Sequence, residues 1–170
     1  GEWLNEYVEF AVDAFPMTPE SFHEAFALSI VSAAVARRVR IEVSSTHIYP
    51  NLYSLVVAPS TLYRKSTGSK LALDVMHDAN LQNLILPGRM TPESMLLELS
   101  CRRPSNFDSL EDSERKAWKK ERLFAAQRLW FLDEAASLFD SFDRKYSADL
   151  LSIMLDLYDC PETKRIMTVG

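Results

Sequence analysis

A near-continuous apolar run, Leu52 to Ala58, leads through a polar segment, Pro59 to Arg64, into a helix-forming sequence that starts at Lys65. Apolar runs of this length without alternation are typical of strands that are buried on both faces, as in the centre of a parallel sheet. We therefore predict a central strand, a loop, and a helix that ends at about Asp78. This strand–loop–helix unit is the one from which layered α/β folds are built.

Helical and strand-like spacings of apolar residues alternate along the rest of the chain. This alternation favours an α/β fold, here a mainly parallel sheet flanked by helices. We expect two parts, an N-terminal helical segment, 1–36, and a core, 37–170, which contains the sheet. The other predicted helices are Trp3 to Ala11, Pro19 to about Ala36, Thr91 to Leu99, Glu111 to Ala126, and helices beyond Glu134 that break near Arg144 and at Pro161. The other predicted strands are Val39 to Val43, Leu84 to Leu86 and Arg128 to Leu132.

The pentapeptide Met-Thr-Pro-Glu-Ser occurs twice, at 17–21 and at 90–94. The flanking sequences do not match, so the two copies do not indicate a repeat architecture. A threonine followed by proline is typical of a helix start, where the hydroxyl caps the first turn and proline occupies the first helical position. We therefore predict that Thr18 and Thr91 each cap a helix.

Composition narrows the class of protein. The chain has 170 residues, 47% of them hydrophobic and 25% charged, which is enough apolar material for one sizeable core. No apolar run approaches the roughly 18 residues of a membrane helix, so no membrane is expected as a partner. The net charge of −5 excludes a bulk polycation, although a local basic strip remains compatible with it.

Cysteine and histidine are sparse. Cys101, Cys160 and the three histidines do not follow a zinc-site spacing, which favours a reducing, cytoplasmic location. No leader segment is visible at the start. The last residues, Arg165 to Gly170, resemble an interrupted strand, and we expect the chain to be part of a longer protein.

The segment that joins the apolar run to the helix has the residue types of a phosphate-binding loop. Lys65 would give a positive charge to the β and γ phosphates, Ser66 a hydroxyl to Mg²⁺, and Thr67 a position beside the α phosphate. Backbone N–H groups at a helix start also attract phosphate. The predicted nucleotide contacts are Ser60, Thr61, Arg64, Lys65, Ser66 and Thr67.

The segment departs from the P-loop pattern G-x-x-x-x-G-K-[ST], because Pro59 and Arg64 occupy the two glycine positions. Glycine is favoured there because the backbone approaches the phosphate closely and sometimes has positive φ. Arg64 would compensate by donating directly to a phosphate. The alternative interpretation is a polar loop between strand and helix with a solvated Arg-Lys pair.

A second motif, Leu129-Trp-Phe-Leu-Asp-Glu134, consists of four apolar residues followed by two acids. In nucleotide hydrolases this Walker B arrangement ends a strand beside the P-loop strand. Asp133 would hold Mg²⁺ together with Ser66, and Glu134 would act with Lys65 in catalysis by polarising the attacking water. The alternative is a strand end followed by a helix-capping acid.

Together these residues resemble the variant P-loop of the primase-helicase-type ATPases, which are encoded by phages, plasmids and integrated mobile elements. Many members of this family are known only as domains of unknown function. The resemblance covers roughly residues 25–170. It depends on Tyr49-Pro-Asn-Leu-Tyr53, Val57-Ala-Pro-Ser60, Arg64-Lys-Ser-Thr67, Pro87 to Leu97, Leu129 to Phe139, and Arg144 to Asp159.

The resemblance implies a P-loop NTPase fold that binds ATP and Mg²⁺. In the full-length protein it implies ATP hydrolysis in a helicase-like, primase-associated role in DNA replication. It also implies DNA and a homo-oligomeric ring as partners, with a sensor residue and an arginine finger beyond Gly170. The alternative is a catalytically inactive P-loop scaffold that acts as a binding or docking module. The missing glycines favour the inactive scaffold, whereas the intact Lys-Ser and Asp-Glu pairs favour the ATPase.

A charged segment, Glu111 to Arg122, surrounds Trp118 with five basic residues. It would suit contact with a DNA backbone, with the tryptophan as a stacking platform. The alternative is a solvated helix, because Glu111 and Asp112 stand four residues before Arg115 and Lys116 in the favourable orientation for ion pairs.

Overall fold

The computed structural model of the protein describes residues 1–59, 63–100, 103–122, 125–142 and 148–160. Within these residues the chain is mixed α/β and mainly helical. No helix in these ranges is both long enough and apolar enough to cross a membrane. The helices are α1 Glu2–Ala14, α2 Glu20–Val35, α3 Lys65–Asp78, α4 Pro92–Ser100, α5 Asp112–Arg122, α6 Ala135–Phe142 and α7 Ala148–Tyr158, and the strands are β1 Ile41–Val43, β2 Thr46–Ile48, β3 Ile85–Leu86 and β4 Leu129–Trp130.

The strands form two separate pairs. β3 and β4 are parallel, with Ile85 opposite Leu129 and Leu86 opposite Trp130, whereas β1 and β2 form an exposed antiparallel hairpin. The predicted strands at Leu84 to Leu86 and Arg128 to Leu132 are therefore present in shorter form, and their parallel pairing agrees with the predicted α/β class. The parallel sheet in the described residues has two strands, which is smaller than the predicted sheet.

The predicted central strand, Leu52 to Ala58, is wrong. Residues 51–59 form no strand, and the side chains of Leu55 and Val57 are 60% and 76% exposed. Side-chain hydrogen bonds hold this segment against α7, from Asn51 Nδ2 to the carbonyl of Tyr158 and from Tyr53 Oη to the carbonyl of Met154. An apolar run becomes a buried strand only where neighbouring strands pair with its backbone on both sides.

A first hydrophobic core joins α1, α2 and α3. The buried residues of α2 recur at the three- and four-residue intervals of one helix face, which α1 and α3 cover. Small residues on α3, among them Gly68 and Ala72, let α2 approach closely. The predicted helical segment 1–36 therefore shares its core with the helix that begins at Lys65. The buried members of this core are Tyr7, Val8, Ala11, Phe26, Ala27, Ile30, Ala33, Ala72, Met76 and Leu84.

Buried Gln127 ties the start of β4 to this core. Its Nε2 donates to the carbonyls of Ala33 and Ala34 at 2.8 and 2.7 Å, near the end of α2. The last carbonyls of a helix have no partner within the helix, and this amide satisfies two of them. A second, smaller core lies between α4, α6 and α7, with Met95, Leu150 and Ile153 buried at its centre.

The two copies of the repeated pentapeptide adopt different roles. Thr91 caps α4 as predicted, because its Oγ1 accepts a hydrogen bond from the N–H of Ser94 at 3.2 Å. The predicted cap at Thr18 is wrong: α2 begins at Glu20 after Pro19 without a side-chain cap. The Thr18 hydroxyl donates instead to the carbonyl of Arg64, because its copy is packed against the start of α3.

Several predicted boundaries differ from the structure by a few residues. The predicted strand 39–43 begins at Ile41, and the charged helix predicted over 111–126 covers Asp112–Arg122. The helix predicted over 65–78 has the same limits in the structure. The predicted helix breaks at Arg144 and Pro161 lie outside the described residues.

Candidate functional site

The helix α3 begins after a residue in the left-handed region. Arg64 has φ 39° and ψ 40°, and its carbonyl accepts hydrogen bonds from the N–H groups of Thr67 and Gly68 at 2.9 and 3.3 Å. The first N–H groups of a helix have no acceptor within the helix, so those of Lys65 and Ser66 are available to an anion. Arg64 stands at a glycine position of the P-loop pattern and has the positive φ that favours glycine there.

The start of α3 is held in place by α2 and the residues before it. The Thr18 hydroxyl donates to the carbonyl of Arg64 at 3.4 Å. A Cβ on Gly68 would lie 3.1 Å from Phe26 Cε2 and 3.1 Å from Thr18 Cγ2, both of buried residues. A larger side chain at position 68 would therefore push the helix start away from α2.

The structure brings the two sequence motifs into direct contact. Ser66 Oγ donates to Asp133 Oδ1 at 2.9 Å, across 67 positions of sequence. The contact forms because Ser66 lies in the first turn of α3, whereas Asp133 lies just beyond the end of β4. A hydroxyl oxygen and a carboxylate oxygen at this separation can both act as ligands of a single cation.

Lys65 lines a cavity of about 500 Å³ between α2, α3, β4 and the segment 49–56. This volume lies within the range of small-molecule sites, which are mostly apolar with a few polar groups. Among the residues that line it, Lys65, Ser69 and Asp133 are polar groups near the start of α3, and Leu86 and Trp130 are apolar residues of the parallel pair. Within the described residues Lys65 makes no ion pair, so its charge is available to a ligand.

The other predicted site residues lie at the edge of this arrangement. Glu134 is exposed and directly precedes α6, and its backbone carbonyl accepts a hydrogen bond from Ser137 Oγ. Thr67 is half-buried in the first turn of α3, and the side chain of Arg64 is exposed. In the described part of the chain Lys65, Ser66 and Asp133 are therefore grouped, and the side chains of Glu134 and Arg64 form no hydrogen bond or ion pair with them. Ser60 and Thr61 lie outside the described residues.

A buried histidine of α2 packs beside the first turns of α3. His23 is fully buried, its Nε2 lies 3.5 Å from the carbonyl of Phe15, and its Nδ1 has no hydrogen-bond partner among the described residues. Burial lowers the pKa of His23, because the charged imidazolium is poorly solvated there. The ring Cε1 lies 3.4 Å from the Cβ position of Gly68, so the histidine is part of the surface on which α3 rests.

The donor set suits a hard divalent cation that arrives with a phosphate ligand. In the described part of the chain no group of three or more His, Cys, Asp or Glu side chains could hold a metal ion alone. Mg²⁺ commonly binds through one or two protein oxygens, with water and substrate phosphates completing its shell. The Ser66 hydroxyl and the Asp133 carboxylate are oxygen donors of this kind.

Sequence reasoning missed the residues that support the loop. Thr18 was expected to cap α2, and neither His23 nor Gly68 was expected near the site. Gly68 offered a signal, because a glycine inside a predicted helix costs helix propensity and often marks a close approach between elements. Thr18 and His23 offered none, because their contacts with α3 join positions more than 40 residues apart.

Comparisons of the chain with protein-family models, with curated proteins and with solved structures find no match. The function must therefore be argued from the geometry around Lys65, Ser66 and Asp133.

Proposed function

We propose that the chain binds Mg·ATP at the start of α3, as the nucleotide-binding core of a helicase-like ATPase that takes part in the DNA replication of a mobile element or phage. The observation that carries the proposal is the 2.9 Å hydrogen bond between Ser66 Oγ and Asp133 Oδ1. It joins the Lys-Ser pair to the Asp-Glu pair, as a P-loop site requires.

Each side chain has a distinct role in this proposal. Lys65 contributes its charge to the terminal phosphates, and the N–H groups of Lys65 and Ser66 donate to phosphate oxygens at the positive end of the helix dipole. Arg64 adds a guanidinium beside them. These contacts would account for the position of Lys65, which lines a cavity and makes no ion pair with any described residue.

Magnesium fits the oxygen donors that the site offers. When bound, the ion would neutralise phosphate charge, and Ser66 and Asp133 would hold it, the carboxylate directly or through water. Glu134, exposed at the next position, would accept a proton from the attacking water. As the family resemblance suggests, copies of the protein would assemble into a ring that acts on DNA. An arginine from a neighbouring copy would then contribute to the hydrolysis of ATP.

Calorimetric titration with Mg·ATP tests the binding step. We expect saturable binding by the chain and its loss in Lys65→Ala, because the variant removes the charge that faces the phosphates. Lys70→Ala is the matched control, since Lys70 is an exposed lysine on the same helix. Equal affinities of the chain and Lys65→Ala, or equal losses in both variants, would contradict the proposed site.

A second candidate function is a P-loop scaffold that has lost turnover and serves as a docking module. It is favoured by the left-handed Arg64, whose side chain occupies a position where glycine would leave space for phosphate. The variant Glu134→Gln separates the two functions. An ATPase would retain nucleotide and lose turnover in this variant, whereas a docking module would show no turnover before or after the change.

A further inference from the structure

The helix α5 packs little against the rest of the protein. None of its residues is buried, although it has three complete turns. Its aromatic residue, Trp118, contacts Phe107 with ring centroids 4.8 Å apart, which attaches α5 to the short 3₁₀ helix Phe107–Ser109. A helix that is polar on all sides gains little from the core, so its charges call for a separate explanation.

The five basic residues of α5 share one face. Arg115, Lys119 and Arg122 follow one another at i, i+4 and i+7 and form one row along the helix. Lys116 and Lys120 each follow a member of this row by one position and lie on the same half of the helix surface. The acids Glu114 and Glu121 are spaced by seven residues and lie on the other side, whereas Asp112 lies among the basic residues and pairs with Arg115. The dipole of α5 accounts for the bases in its last turn, but it does not account for Lys116.

Most of this positive charge is not neutralised within the described residues. The expected pairs from Glu111 to Arg115 and from Asp112 to Lys116 do not form. Asp112 pairs with Arg115 at 2.7 Å, and the carboxylate of Glu114 accepts a hydrogen bond from the N–H of Glu111. Among the residues that the structure describes, those without an acidic partner are Lys116, Lys119, Lys120 and Arg122.

Aromatic rings and guanidinium groups border this face. The Arg122 guanidinium lies 5.4 Å from the centroid of the half-buried Trp118 ring, and the Arg103 guanidinium, which pairs with Asp108, covers the buried Phe107 ring at 4.5 Å. Together with Lys119 and Lys120 they line a surface concavity of about 860 Å³. Planar guanidinium groups and aromatic rings provide surfaces on which unpaired bases stack, while lysines contact the phosphates.

We propose that the basic face of α5, with Trp118 at its edge, binds single-stranded nucleic acid. Charge complementarity favours a polyanion as the partner, because the four cationic side chains that lack an acidic partner among the described residues are exposed to solvent. This positive surface is local, since the chain as a whole has a net charge of −5. An anionic membrane is less suitable, because α5 lacks the apolar face that would enter the lipid boundary. The half-buried Trp118 ring and the Arg122 guanidinium beside it favour single strands over a duplex, in which the bases are covered.

Fluorescence anisotropy with a labelled oligothymidylate of about 20 nucleotides tests the proposal. Four phosphate contacts predict an affinity that falls roughly 50-fold between about 50 and 200 mM salt. The double variant Lys119→Glu/Lys120→Glu should weaken binding by at least about tenfold and flatten the salt dependence, because two of the four contacts are lost.

The control is Lys70→Glu/Arg89→Glu, which makes the same change in net charge at two exposed residues outside α5. It should leave oligothymidylate binding unchanged. Three results would overturn the proposal: no binding by the unmodified chain, equal weakening in both double variants, or binding to phosphatidylserine vesicles without binding to the oligonucleotide. Lys65→Ala should retain oligonucleotide binding, so the outcome is independent of the nucleotide site.

Discussion

At the scale of single residues, Arg64 combines a left-handed backbone conformation with a charged side chain. A glycine at this position would keep the conformation and remove the charge. Its backbone has the left-handed conformation found at the start of α3, and its exposed guanidinium is proposed to contact a phosphate. A side chain in this conformation costs about 1–2 kcal/mol, because its Cβ crowds the following carbonyl. Substitutions at Arg64 can therefore separate the effect of its backbone conformation on stability from the effect of its side chain on nucleotide binding.

Arg64→Gly should raise the free energy of unfolding by roughly 0.5–1 kcal/mol, because relief of the positive φ exceeds the added flexibility of the unfolded chain. Arg64→Ala should not, because alanine retains the Cβ. Both variants should weaken Mg·ATP binding if the guanidinium contacts a phosphate. Urea unfolding and calorimetry provide the two measurements, and unchanged nucleotide affinity in Arg64→Ala would contradict a phosphate contact.

His23 makes the stability of the α1–α2–α3 core depend on pH. Because its pKa in the folded protein is lowered, the unfolded chain binds more protons than the folded chain below about pH 6.5. The free energy of unfolding should therefore fall as the pH decreases from about 6.5 toward the lowered pKa. Above that range this contribution is fully present.

His23→Gln should remove this part of the pH dependence, because glutamine retains an N–H donor for the carbonyl of Phe15 without titrating in the range. Urea unfolding at several pH values between about 4 and 7 provides the measurement. His77→Gln, at an exposed position, is the control. If His77→Gln flattened the profile as much as His23→Gln, the assignment to His23 would be wrong.

At the scale of helices and strands, the repeated pentapeptide separates local from tertiary effects. Thr91→Val should lower the free energy of unfolding by about 1 kcal/mol, because the acceptor for the N–H of Ser94 is lost.

Thr18→Val should weaken Mg·ATP binding about 2- to 10-fold, because the carbonyl of Arg64 loses a donor. Thermal unfolding and calorimetry distinguish the two, and a nucleotide effect confined to Thr91→Val would contradict this assignment.

The same comparison shows which elements could be predicted. The limits of α3 follow from local signals, a polar loop before Lys65 and helical spacing after it, and the structure reproduces them. The contact between Ser66 and Asp133 agrees with the prediction that both side chains bind one Mg²⁺ ion, which would require them to lie close together. The segment 52–58 could not be predicted from its apolar run, because a strand exists only beside a partner, and the run does not identify that partner. The support from Thr18 is similarly non-local.

At the scale of the whole molecule, the described residues contain two cores of unequal size. The core of α1, α2 and α3 has ten buried hydrophobic residues, whereas that of α4, α6 and α7 has three. Local stability follows the density of buried apolar contacts, so the second core should open more readily. The proposed nucleotide site lies at the start of α3 and depends on the larger core.

Met76→Ala and Met95→Ala compare the two cores with one substitution. Met76 is fully buried in the larger core, and its loss should lower the free energy of unfolding by about 2–5 kcal/mol. Met95→Ala should increase hydrogen exchange in α4 and α7 while α1, α2 and α3 remain protected. Hydrogen exchange followed by mass spectrometry provides the measurement, and equal loss of protection everywhere would indicate one cooperative unit.

The exposed segment 51–59 has a consequence for the behaviour of the protein at high concentration. Within the described residues its backbone forms no hydrogen bond with another backbone group, and Leu55 and Val57 face solvent. Extended apolar chain with free backbone groups can act as a template for strand pairing between molecules. We expect colloidal association, visible as light scattering that rises faster than concentration, at temperatures where both cores remain folded. Solubility would then reach its limit well before thermal unfolding begins.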